Sequence, residues 1–141
     1  KPLRIACSTE IYEKFDSTEP RTALVKWLFD KDNPLVARVI ANRIWQHHFG
    51  VSLAENPSDF GVVYGEPIHR ELLDWLSTEL MENGWSLKHL HRVIMKSSTY
   101  RQIAFAAVDD VDQSASVTYA KEVDPDNKLY SRYPRRRLEG E

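Results

Sequence analysis

Hydrophobic residues recur at helical spacing along most of this chain. The pattern is clearest after Asn33, a good N-cap that is followed by Pro34 at a favourable first helical position and, later, by Gly50 at a favourable C-terminal stop. On a helical wheel the apolar residues between them reach almost all the way round. The narrow polar stripe that remains consists of Arg38, Asn42 and Gln46. We therefore predict a central buried helix over residues 33–49.

Three other segments carry an apolar face with helical periodicity. One helix is expected to begin at Pro20 and to stop near residues 30–32, another to run from Pro67 to Asn83, and a third to follow Ser86 as its N-cap. The residues predicted to form their inner faces are Leu24, Trp27 and Leu28, then Ile68, Leu72, Leu73, Trp75, Leu76 and Leu80, and finally Leu87, Leu90, Ile94 and Met95. Of the chain's five histidines, only His89 is expected to face solvent.

Together these elements predict a mainly α fold, an irregular bundle of about four to five helices around helix 33–49. Residues 51–66 carry Pro57, Gly61 and Gly65 and are expected to form a long ordered loop. A brief alternation at Leu3, Ile5 and Cys7 is compatible with a short N-terminal strand.

The length of 141 residues is that of a single domain or domain fragment. We divide the chain into an N-terminal extension (1–19), a helical core (20–107), an acidic linker or flap (108–131) and a basic segment (132–141) that begins a truncated helix. The start at Lys1-Pro2, without Met, leads us to expect a fragment of a longer protein.

The amino-acid composition disfavours several classes of function. With 42% hydrophobic and 28% charged residues the chain is globular in type. A net charge of −2 gives no general attraction to nucleic acid or to anionic membranes. There is no apolar run of the roughly 18 residues that a membrane span requires. The single cysteine, Cys7, excludes an internal disulfide and a Cys-x-x-Cys-His haem attachment, so we expect no cofactor in this chain.

Histidines provide the first set of candidate functional residues. The wheel places His47, His48, His69 and His91 among apolar neighbours, where imidazoles can bind a metal or transfer protons. Chelation from a single helix requires ligands three or four residues apart, whereas His47 and His48 are adjacent. These four are therefore weak metal candidates, and the alternative is that each one caps a helix or satisfies a hydrogen bond in the core.

Arg43 and two carboxylates form the second set. The wheel places Arg43 between Val36 and Val39, where a guanidinium needs a partner. Asp59 and Asp74 are the carboxylates that could supply it, and a salt bridge is the more common role for such a pair. The alternative is a hydrolase or redox site between helices 33–49 and 67–83, with His48, His69, Asp59, Asp74 and Arg43 as the candidate catalytic residues.

Cationic residues near the C-terminus raise a third possibility, nucleic-acid binding. This cluster comprises Arg132, Arg135, Arg136 and Arg137. The acidic stretch at residues 109–126 is an equally good partner within the chain, and the net charge is negative, so nucleic-acid binding is disfavoured.

Several motifs, in order from about Leu24 to Glu139, resemble the N-terminal part of a known domain of unknown function, DUF1553, the PSD1 C-terminal domain. They are Asn33–Leu35, Asn42–Gly50, Pro57–Gly61, Glu71–Leu76, Trp85–Lys88, Ser97–Gln102, Asp124–Asn127 and Arg135–Glu139. The proteins that carry this domain are planctomycete-type, cytochrome-c-associated multidomain proteins. Arg70 and Ser58 stand where that family usually has Pro and Asn.

The resemblance indicates the type of parent protein and not a reaction, because no catalytic residues are established for the family. It implies an exported parent protein, periplasmic or extracellular, although no signal peptide is present in this fragment, with haem c elsewhere in the parent. The other domains of that parent are the expected partners, and the oligomeric state is left open. We therefore expect an uncharacterised structural or interaction module.

Overall fold

Four α-helices make up the regular structure of the described part of the chain. The computed structural model describes residues 20–54, 67–102, 104, 119 and 122–134. The helices are α1 (Pro20–Leu28), α2 (Leu35–Phe49), α3 (Arg70–Glu82) and α4 (Leu87–Lys96), and no strand occurs within these ranges. The mainly α prediction is confirmed. The predicted strand near Leu3 and most of the predicted loop 51–66 lie outside the described residues.

Local signals set both ends of α2, and the C-terminal end is as predicted, whereas Pro34 and not Asn33 is the N-cap residue. The Asn33 side chain accepts a hydrogen bond from the Leu35 N–H at 3.1 Å, and Pro34 already has helical backbone angles. At the other end Gly50 adopts φ 79°, and its N–H donates to the Gln46 carbonyl at 2.7 Å. A left-handed residue at this position is inexpensive only for glycine, so the sequence stops the helix here.

The turn between α3 and α4 follows the same rules. Gly84 adopts φ 65° after α3, and the Ser86 hydroxyl accepts a hydrogen bond from the His89 N–H at 3.3 Å at the start of α4. The predicted start of α3 at Pro67 is wrong by three residues. His69 precedes the helix with φ −113° and ψ 58°, which are not helical angles.

The core lies where α2 packs against α3 and α4. Its buried apolar side chains are Ala41, Ile44, Trp45, Phe49, Leu53, Ala54, Leu73, Leu76, Leu80, Leu90 and Ile94. Asn42 is fully buried among them and exchanges two hydrogen bonds with the backbone of Ala54, at 3.0 and 3.4 Å. Its amide ties the chain after α2 back to the helix and satisfies buried backbone groups.

Three wheel assignments on α2 are corrected. Asn42, expected in the polar stripe, is buried, whereas Arg43 and His47, expected among apolar residues, are exposed. The cause is that α3 and α4 cover only part of the helix circumference. A nearly uniform apolar wheel does not specify which part that will be.

Several residues expected on inner faces are about half exposed. They are Leu24, Ile68, Trp75, Leu87 and Met95, at 48–57% of full exposure. The buried face of α3 is instead made of Leu73, Leu76, Ser77 and Leu80. The apolar pattern on these helices is wider than the contact that they make, which leaves apolar surface uncovered in the described part.

Candidate functional site

His48 and His91 form the closest pair among the candidate residues. His48 lies at the C-terminal end of α2 and His91 in α4, and Nε2 of His48 is 2.8 Å from Nδ1 of His91. One nitrogen must donate and the other accept, so the neutral pair shares one proton. The Tyr100 ring packs perpendicular to His48, with centroids 5.3 Å apart, and the Tyr133 hydroxyl donates to the His48 carbonyl at 3.0 Å.

His69 has a different environment. Its Nε2 lies 2.8 Å from the Lys128 carbonyl oxygen, which favours the tautomer that carries the proton on Nε2. The residue lines an open pocket of about 140 Å³ together with Ser52, Asp126, Lys128 and Tyr130. Among the described members of the predicted His/Asp set, His69 is the residue that lines this pocket. The contacts of His48 and Asp74 are with other groups, namely His91 and Arg38.

The two remaining histidines differ from expectation. His89, predicted to face solvent, is part-buried, and its Nε2 lies 2.6 Å from the Glu79 carboxylate in α3. His47 is exposed. Glu79 was not anticipated as a partner because its distance from His89 depends on how α3 and α4 are joined, which the two separate helical patterns do not specify.

Asp74 forms an ion pair, but not with Arg43. Its Oδ1 lies 2.6 Å from both Nε and Nη2 of Arg38, so α3 is tied to α2. Arg70, one turn earlier in α3, lies 3.9 Å from the other carboxylate oxygen. Asp59, the other proposed partner, lies outside the described residues. The predicted pairing of Asp74 with Arg43 is wrong, because the α2 arginine that contacts Asp74 is Arg38.

Asp124 is a buried carboxylate that the sequence pattern did not single out. Its burial acts to raise the pKa, but hydrogen bonds from the Leu129 N–H and from Ser131 act in the opposite direction and outweigh it. The pKa of Asp124 therefore lies below its usual value. The Leu129 N–H donates to the carboxylate at 3.0 Å, so Asp124 organises a turn within the acidic stretch.

Arg132 belongs to this same turn. Its guanidinium donates to the carbonyls of Asp124 and Pro125, at 2.8 and 2.7 Å. The arginine is therefore engaged with backbone carbonyls of the acidic stretch. A charge pairing between the two segments, the alternative to nucleic-acid binding, stays a prediction. The other three arginines of the cluster lie outside the described residues.

Two aromatic hydroxyls attach this segment to the helical core. The Trp45 indole N–H donates to the Tyr130 hydroxyl at 2.7 Å, and both Tyr130 and Tyr133 pack against Phe49. Burial raises the pKa of Tyr130, and its hydrogen bond with Trp45 acts in the opposite direction. Residues 122–134 therefore pack against α2 through their aromatic side chains.

In the residues that the structure describes, no three histidine, cysteine, aspartate or glutamate side chains come close enough together to hold a metal ion. None of the described helices has the length and apolar character needed to cross a membrane. The arrangement instead contains pairs: His48 with His91, His89 with Glu79, and Asp74 with Arg38. Each pair joins two different helices.

Comparison with known proteins gives one match. The model of the PSD1 family, described as "Protein of unknown function (DUF1553)", matches residues 20–141. No curated protein matches the chain, and no solved structure does.

Proposed function

Since this chain belongs to the PSD1 family of proteins of unknown function (DUF1553), we propose that it is a non-catalytic structural and interaction module of a larger protein. Two features support the proposal. Polar candidates such as Asp74 and His48 are engaged in pairs between helices, and apolar side chains on the outside of the helices are uncovered.

The polar pairs support a structural role because each one satisfies side chains that would otherwise be costly to bury. Within the described ranges, every buried side-chain nitrogen or oxygen has a hydrogen-bond partner. A catalytic site usually keeps some polar groups directed at a substrate. His69 comes nearest to this condition, because it lines a pocket, but its ring is bonded to the Lys128 carbonyl.

The observation that carries the interaction role is the exposed apolar surface of α1. Leu24 and Val25 are 50% and 55% exposed, and Phe29, just after the helix, is 54% exposed. Among the described helices, the close packing is between α2, α3 and α4, and α1 makes fewer contacts with them. The Phe29 ring meets the Trp85 ring edge-on, with centroids 5.0 Å apart, so Leu24 and Val25 are the main exposed apolar groups of α1. Exposed large apolar side chains that lie close together in the chain are suited to a docking surface. We assign its partner as another domain of the same longer protein.

The docking surface is tested by mixing the chain with the separately purified remainder of its parent and measuring affinity by calorimetry. The variant carries Leu24→Ala and Val25→Ala together, which shortens both side chains but preserves helix propensity. Affinity should fall about tenfold or more, since each truncation removes roughly 1 kcal/mol or more of apolar burial.

Lys26→Ala is the matched control, because Lys26 is exposed on the same helix. Its replacement by Ala changes helix propensity by the same amount as each substitution in the variant, to within a few tenths of a kcal/mol. It should leave the affinity unchanged. Equal losses for the two variants, or no binding by the unmodified chain, would refute the docking surface.

The motif resemblance supports a narrower proposal about context. The parent is a planctomycete-type exported protein that carries a cytochrome-c-like domain with covalently bound haem, while this chain holds no haem. Absorbance near the haem Soret band and cell fractionation of the full-length protein test this. A haem-free cytosolic parent would overturn this context but would leave the docking surface of α1 intact.

A further inference from the structure

We propose that His48, His91 and Met95 form a binding site for monovalent copper, Cu(I), between the end of α2 and α4. The proposal goes beyond the interaction role and does not depend on it. It rests on the 2.8 Å distance between two ring nitrogens, on a helical spacing and on the charge of the surrounding elements.

The two imidazoles supply the first two ligands. Nε2 of His48 and Nδ1 of His91 are 2.8 Å apart and share a hydrogen bond, so the two nitrogens already face the same small region, beside which an ion would lie. In the trigonal arrangement of a three-coordinate ion, two metal–nitrogen bonds of about 2.0 Å place the nitrogens about 3.5 Å apart. The rings would therefore separate by about 0.7 Å and turn so that both nitrogens face the ion. The displaced proton remains on the pair if His48 carries its proton on Nδ1 and His91 on Nε2.

Met95 supplies the third ligand. It lies four residues after His91 in α4, on the same side of the helix, and its side chain is 48% exposed. A long, unbranched thioether at this spacing can turn towards the imidazoles, because side chains at i and i+4 are neighbours. Thioether is a soft ligand that selects Cu(I), and imidazole also suits copper. Two imidazoles and one thioether form a three-coordinate set for this ion.

Charge around the pair favours a monovalent ion over a divalent one. α4 also carries the exposed cations Lys88, Arg92 and Lys96, whose repulsion of a bound ion doubles when the ion's charge doubles. His48 lies in the last turn of α2, where the helix dipole attracts positive charge. The site is therefore better suited to Cu(I) than to Zn²⁺.

An architectural role is the competing explanation, in which the hydrogen bond between His48 and His91 only joins α2 to α4. The two explanations differ in what Met95 does. A half-exposed methionine contributes nothing to a hydrogen bond between two other residues, whereas it contributes directly to copper affinity if it is a ligand. Met95→Leu keeps the size and apolar character of the side chain and removes the thioether.

The test is an anaerobic titration of the whole chain with Cu(I), delivered as its bicinchoninate complex. Every protein should carry Cys7→Ser, because a free thiol binds Cu(I) strongly and would hide the site. The parent of this series should take up one equivalent of Cu(I). Since losing even an outer-shell partner costs 10–100-fold, His91→Asn and Met95→Leu should each weaken binding by about tenfold or more.

His47→Asn is the matched control, because it removes an exposed imidazole next to His48. It should leave Cu(I) binding unchanged. Met95→Leu should leave the weaker Zn²⁺ affinity unchanged, which separates loss of the thioether from loss of structure. Unaltered far-UV circular dichroism confirms the fold of each variant, and His48→Asn replaces His91→Asn if the latter does not fold.

The proposal is overturned if the series parent takes up no Cu(I), or if Met95→Leu binds Cu(I) as tightly as the parent. Equal weakening of Cu(I) binding by His47→Asn and His91→Asn would overturn it as well, because the ion would then be held by scattered surface imidazoles.

Discussion

The ion pair between Arg38 and Asp74 is the best-defined single contact between α2 and α3. Two guanidinium nitrogens lie 2.6 Å from one carboxylate oxygen, with the side chains 33% and 39% exposed. A double-mutant cycle with Arg38→Ala and Asp74→Ala should give a coupling energy of about 0.5–1 kcal/mol, because solvent screens a pair at this exposure. Urea denaturation measures it, and the coupling should shrink in 1 M salt.

Arg43→Ala is the control for this cycle, because Arg43 lies on the same helix and is exposed. It should change the free energy of unfolding by less than about 0.5 kcal/mol. If Arg43→Ala costs more than Arg38→Ala, the assignment of Arg38 as the interhelical arginine is wrong.

Asp124 gives a pH-dependent prediction. Asp124→Asn should lower the free energy of unfolding at pH 7 by on the order of 1 kcal/mol, because the hydrogen bonds of the turn lose their charged acceptor. The folded-state pKa of Asp124 lies below its ordinary value of 3.8, so the carboxylate's contribution is complete above that pH. As pH falls through the folded-state pKa, wild type and variant should converge in urea denaturation.

Asp126→Asn serves as the comparison. Asp126 is exposed and lies 3.5 Å from the Lys128 amine, a surface pair of little energetic weight. A loss of stability for Asp124→Asn that persists unchanged at pH 3 would show that the charge of Asp124 is not what stabilises the turn.

The packing of residues 122–134 onto α2 depends on Tyr130. Tyr130→Phe removes the hydroxyl that accepts the Trp45 N–H, and Trp45 is only 4% exposed. Leaving that donor unsatisfied should cost about 1–3 kcal/mol, measured by thermal or urea denaturation. Tyr119→Phe, at a side chain that is 68% exposed, should cost nothing measurable. Equal stability of Tyr130→Phe and wild type would mean that water replaces the hydroxyl without penalty.

At the scale of the elements, the ends of the helices could be predicted from the sequence, because interactions between residues close in sequence determine them. Asn33, Gly50 and Ser86 do in the structure what their side chains or backbone freedom indicated. The buried face of α2 was not predictable in the same way. Asn42 is buried because the Ala54 backbone, twelve residues away, supplies its partners, and the helical wheel contains no information about that contact.

In the candidate site, side-chain pairs between different helices were the hardest features to predict from the sequence. His48 and His91 are 43 residues apart and meet only because α2 and α4 pack together, so neither residue's local pattern predicts the contact. The sequence supplied the right residue types but not their partners. His89 was misjudged for the same reason, since Glu79 comes from α3.

At the scale of the whole molecule, the described residues form a helical bundle in which three polar pairs join different helices and several outer apolar side chains are exposed. In α1, Leu24 and Val25 are each at least half exposed. A surface of this kind is stabilised when a partner covers it. Because the partner binds only the folded state, the free energy of unfolding should rise with partner concentration.

The most direct test of the proposed interaction role is therefore the free energy of unfolding of this chain, measured with increasing amounts of the separately purified remainder of its parent. We predict an increase of about 2.7 kcal/mol when the partner is present at 100 times its dissociation constant. At the same partner concentration, the chain carrying Leu24→Ala and Val25→Ala should show a clearly smaller increase. No increase for the unmodified chain, or the same increase for both chains, would contradict the account.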